Sequence, residues 1–126
     1  TPEPPMAQAR KHLSGPADPV ASLDMASGFR TQEGGADAAF LLAEDAAQKG
    51  NATAMILTAD FYSPTDTAPA GSIQKDALEA FAWYTKAKAA GAAEAEARLN
   101  SLRTWAEAEA AKGSEKAKAV LAKFAE

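Results

Sequence analysis

One stretch of this chain repeats itself without a gap. Residues 39–61, AFLLAEDAAQKGNATAMILTADF, align with residues 80–102, AFAWYTKAKAAGAAEAEARLNSL. Phe40 falls on Phe81, Gly50 on Gly91, Ala54 on Ala95 and Phe61 on Leu102. A shorter echo at 111–124, AKGSEKAKAVLAKF, repeats the tail with Gly113, Ala117 and Leu121. Gly-x-x-x-Ala therefore stands at three corresponding points. The glycine suits a left-handed helix exit. The alanine four residues on lets the next helix cross closely. Larger side chains a turn further, Phe61, Leu99, Leu102 and Leu121, fill the widening gap. A hairpin of this kind cannot bury its apolar face alone, whereas stacked hairpins can.

Local signals divide the rest in the same style. A short helix is expected over 6–13, ended by SGPADP. Asp18 is a good N-cap and Pro19 suits the first helical position of a second helix, to about Gln32. EGGAD closes it. A third helix follows over 36–49, then Gly50, with Asn51 capping a fourth to Tyr62. SPTDTAPAGS (63–72) is a loop, longer than most helix connections. Further helices are expected over 76–91, 92–112 and 115–125, the last capped by Ser114. Seven helices with mostly short connections imply antiparallel neighbours. The fold expected is all-α, with antiparallel helical hairpins stacked as a short α-solenoid.

Composition agrees and excludes. About a quarter of the chain is alanine, a strong helix former. No run alternates apolar and polar over strand length. A net charge of -4 argues against nucleic acid, which selects basic surfaces. No cysteine is present, so disulfides, thiolate chemistry and Cys-based metal sites are excluded. The longest apolar run, AAFLLA at 38–43, is too short to span a bilayer. The opening TPEPP reads as a Pro-rich linker, residues 1–5, with more protein, such as a membrane anchor, expected before it.

DALEAFAWYTKAKAAGAAEAEARL (76–99) resembles the Sel1-like repeat family, a TPR-like group. The family's pattern opens a helix on Asp, places an aromatic pair near Trp-Tyr, then Lys-Ala, a Gly exit, and Ala and Leu beyond. Asp76, Ala80, Trp83, Tyr84, Lys86, Ala87, Gly91, Ala95 and Leu99 fit. Upstream, Ala39, Ala46, Ala47, Gly50, Ala54 and Tyr62 fit, but Leu42 and Ala43 replace the aromatic pair. The family's glycine near the end of the first helix is missing, with Ala59 and Asp60 there. Residues 6–126 are expected as one domain: 6–35 a degenerate repeat or cap, 36–102 the clearest repeats, 103–126 a C-terminal cap.

Candidate chemistry is sparse. His12 is the only histidine and reads as a structural residue at the surface. Glu44 and Asp45 are sequence neighbours, about 100° apart on a helix, so they do not share a site. Asp45 can pair with Lys49, and Glu94 with Arg98, across one turn. No phosphate loop, metalloprotease or EF-hand motif occurs. Leu78, Phe81 and Tyr84 share a helix face and read as core, with Trp83 turned toward a neighbouring helix.

No catalytic residue, metal or cofactor is expected. The resemblance implies a protein or peptide partner held on the first helices of the hairpins. There the packing pattern leaves Ile56, Asp60, Glu96, Asn100 and Arg103 free. The function expected is a non-catalytic interaction or scaffold module, such as a bacterial envelope regulator or adaptor, with the periplasm favoured over the cytoplasm. Two alternatives stay open: an accessory domain of an upstream peptidase or cell-wall hydrolase, and a small-ligand-binding helical domain.

Overall fold

The computed structural model describes residues 3–126. These form seven helices and no strands: α1 (Pro5–Leu13), α2 (Pro19–Arg30), α3 (Ala36–Gln48), α4 (Ala52–Tyr62), α5 (Ala77–Ala89), α6 (Ala95–Ala111) and α7 (Glu115–Phe124). None is long and apolar enough to cross a membrane. The expected linker at 1–5 is shorter than drawn. Thr1 and Pro2 lie outside the described residues, and Pro5 already opens α1, since proline's fixed φ suits a first helical turn.

The expected caps do the work assigned to them. Asp18, Asn51, Asp76 and Ser114 each accept backbone N–H bonds at a helix start. The three exits are the same structure three times over. Gly50, Gly91 and Gly113 have φ of 96°, 92° and 98°. After each glycine the next N–H reaches back over the turn, Asn51 to Ala46, Ala92 to Ala87 and Ser114 to Glu109, at 2.9–3.1 Å. These are six-to-one closures that satisfy otherwise orphaned helix-end carbonyls.

Burial follows the same repeat. Ala39 and Ala80, Ala46 and Ala87, Ala54 and Ala95, and Phe61 and Leu102 are all fully buried pairs. At the position where the copies differ in size, Ala43 and Tyr84 are both fully buried. The repeat is thus a repeat of core positions, filled by different volumes.

Each helix packs against the next, α1 only lightly against α2, and further contacts join α1 to α3, α2 to α4 and α5 to α7. One apolar cluster draws on α1 to α4, around Phe29, Leu42 and Phe61. A second draws on α4 to α7, around Tyr84, Leu102 and Val120. Trp83 leaves the Tyr84 face and packs with Ala46, Ala47 and Ala54 of α3 and α4.

Three local expectations are corrected. Leu78 is 40% exposed, because it lies in the first turn of α5, at the edge of the packed face. Phe81 is half-buried, edge-on to Phe124 at 4.8 Å between centroids. His12 is half-buried rather than out in solvent, its Nε2 2.9 Å from Oγ of the buried Ser22.

The α4–α5 connection is a strap tied to another part of the fold. Arg30 of α2 donates from Nε to the Pro69 carbonyl and from Nη2 to Asp66 (3.1 Å), and its guanidinium lies 4.2 Å over the Phe61 ring. Asp37 of α3 accepts from both the N–H and the hydroxyl of Ser72. Lys75 Nζ donates to the Phe61 carbonyl.

Candidate functional site: a cleft across α2, α4 and α6

Helix α4 carries an anomaly near its C-terminus. Asp60 stands in the last turn, where the helix dipole disfavours a negative charge, and its side chain is only 8% exposed. A carboxylate there needs strong partners. It has two. Tyr84 of α5 donates its phenolic hydrogen to Oδ1, and Arg98 of α6 donates from Nε to the same oxygen at 3.0 Å. The three residues pin three helices at one point. Burial pushes the Tyr84 phenol well above its usual range, and the hydrogen bond and charge of Asp60 push the same way. The same carboxylate raises the Arg98 guanidinium, first by its hydrogen bond.

Two cavities meet at this pair. One, of about 290 Å³, lies between α2, α4 and the start of α6, with Leu23, Ile56 and Leu57 among its walls and Asp24 and Glu94 at its edges. The other, of about 400 Å³, lies under the strap, bounded by Thr65 and Asp66 and by Ser101 of α6. Asp60 and Arg98 line both, so together the cavities form a cleft with the ion pair between its compartments.

The five residues expected to face a partner do not form one surface. Ile56, expected exposed, is 4% exposed, since it belongs to the α4–α7 core as well as to the cleft wall. Asp60, expected free, is the buried anchor just described. Glu96, Asn100 and Arg103 are exposed but lie around a different hollow, between α5, α6 and the end of α7. There the Arg103 guanidinium stacks 4.6 Å over the Phe124 ring. Residues a few positions apart on α6 diverge because neighbouring helices flank it on both sides.

Arg98 is the residue that sequence reasoning misplaced. The expected Glu94–Arg98 pair does not form, because Arg98 is taken by Asp60. Glu94 is left exposed, with no ion-pair partner within 4 Å among the described residues and no cap hydrogen bond. Asp45 and Lys49 do pair, at 2.9 Å.

Two larger hollows lie elsewhere on the surface. One, of about 700 Å³, is walled by Tyr62, Ile73, Leu78 and Trp105, with Lys116 at its rim. The other, of about 680 Å³, lies between the α2–α3 turn and the strap. Among the described residues, no group of three or more His, Asp or Glu side chains gathers where it could hold a metal ion. Compared with known proteins, the chain matches no family model, no curated protein and no solved structure.

Proposed function

We propose that this chain is a protein-interaction module, a short stack of Sel1-type helical hairpins, and that it binds a peptide segment of its partner in the cleft across α2, α4 and α6. The observation that carries this reading is the cleft itself. It lies across α2, α4 and α6, its walls mix polar side chains with Leu23 and Leu57, and the Asp60–Arg98 pair is fixed within it by Tyr84. A concave surface with fixed polar groups beside apolar side chains suits recognition of a peptide segment. The pattern of helix contacts supports the stacked arrangement, since the main contacts are between helices next or next but one in sequence.

The reading is tested by selecting binders from a random peptide library on the intact chain. Ser27→Arg and Thr53→Arg place bulk on exposed positions of the cleft wall without removing core volume. The selected peptides should lose most of their affinity for these variants and keep it for Thr85→Arg, which stands in the α5–α7 hollow. Peptides indifferent to Ser27→Arg and Thr53→Arg would move the site elsewhere.

A further inference from the structure

The hollow of about 700 Å³ stands apart from the cleft and is built of different material. It gathers Tyr62 from the end of α4, Ile73 from the strap, Leu78 from the first turn of α5 and Trp105 from α6. Tyr62 and Trp105 are half-buried, and Leu78 is one of two large apolar side chains left exposed among the described residues. A concavity of this size with apolar and aromatic walls has the make-up of a small-molecule site.

Its charge leans positive. Lys75 at the end of the strap and Lys116 in the first turn of α7 line it, and neither has a carboxylate within 4 Å among the described residues. Lys75 Nζ reaches only a neutral acceptor, the Phe61 carbonyl, at 3.3 Å. Burial pulls this ammonium below the ordinary lysine range, against the opposite pull of Asp66 and Asp60. It has lost water without gaining an anion. The one acid in the lining, Asp76, turns Oδ1 to the N–H groups of Leu78 and Glu79, where the start of α5 meets its charge. Glu44 and Glu79 act on the Tyr62 hydroxyl but do not line the hollow. A chain of net charge -4 thus sets two lysines against one aspartate here.

We infer that this hollow binds a small organic acid with an aromatic or branched apolar body, the body against Tyr62, Leu78 and Trp105 and the carboxylate toward Lys75 and Lys116. A cation of the same shape would gain the same apolar contacts and face two unmet like charges. An anion without an apolar body would have only solvated lysines to hold it, and exposed ion pairs are weak.

Titrating the 15N-labelled chain with phenylpropionate and with its near-isostere phenylpropylamine tests this, because the two tryptophans report on different places. The acid should shift the Trp105 indole N–H and the amides of Ile73 to Leu78, and saturate at millimolar concentration. The Trp83 indole, packed on the α3–α4 seam, should stay in place. The amine should bind at least about tenfold more weakly, the equivalent of about 1.4 kcal/mol. The Lys75→Gln, Lys116→Gln double variant keeps a donor for the Phe61 carbonyl and should cost the acid at least about tenfold. Equal binding of acid and amine, or an acid affinity unchanged in the double variant, overturns the inference. So does an acid that leaves the Trp105 indole unmoved. The peptide cleft is judged separately, since Ser27→Arg and Thr53→Arg should leave binding of the acid as it was.

Discussion

At the scale of single residues the most informative contact is Tyr84 on Asp60. Truncation and conservative substitution should separate its two roles. Tyr84→Ala removes a fully buried ring and should cost about 3–5 kcal/mol. Tyr84→Phe keeps the volume and leaves Asp60 with Arg98, so the loss should be about 1–3 kcal/mol. The phenol also fixes how the fold responds to base. Its folded pKa lies above its unfolded value of about 10. Its contribution is therefore whole below pH 10 and is lost above it, at about 1.4 kcal/mol per pH unit, as the unfolded phenol alone gives up its proton. Urea denaturation at pH 9, 10 and 11 should show this slope, and Tyr84→Phe should flatten it. A slope unchanged in the variant would mean that Tyr62, also raised by burial and by Glu44, carries the effect. Nothing local announces the Tyr84 contact in the sequence. A helical-face argument tells which residues of α4 point inward, but Tyr84 and Arg98 reach Asp60 from two other helices. Glu94, one turn from Arg98, offers the nearer pairing, and tertiary structure overrides it.

At the scale of elements, helices and their ends were legible, because caps and exits are written in short codes. Asp18, Asn51, Asp76 and Ser114 start helices, and Gly50, Gly91 and Gly113 end them. The strap was legible as a loop, but its attachments were not. Arg30 and Asp37 belong to the earlier helices α2 and α3, and nothing in their own neighbourhood marks them as anchors. Gly71 shows how closely the strap is fitted. It has φ of 58°, and an added Cβ would run into the Asp37 carboxylate. Gly71→Ala should therefore cost about 1–3 kcal/mol in urea denaturation. Gly28→Ala is the matched control. Its Cβ would meet nothing within 4 Å, and it stands inside α2, so it should stabilise by about 0.5–1 kcal/mol.

At the scale of the whole molecule, the apolar interior is divided. Helices α1 to α4 enclose one cluster and α4 to α7 another, with Trp83 bridging to the α3–α4 seam. Damage in one half should stay largely there. Val120→Ala, which removes two buried methyls from α7, should cost about 2 kcal/mol. Amide exchange should rise first in α6 and α7 while α2 and α3 keep their protection. A uniform rise across all seven helices would show that the two clusters melt as one. The repeat made much of this interior readable, since matching positions are buried in both copies. The cleft was less readable, because a concave surface depends on how helices distant in sequence lean on one another, which the pattern of a single helix does not encode.

The strap also bears on where this chain can be cut. Arg30 holds Asp66 with one nitrogen and the Pro69 carbonyl with another, so a break at the Thr67–Ala68 bond would leave each new end hooked to the same guanidinium. Helices α4 and α5, on either side of the break, share an extensive face. The molecule is thus built as two complementary fragments with a clasp already in place. Expressed separately, they would have both the surface to find each other and the fastening to close.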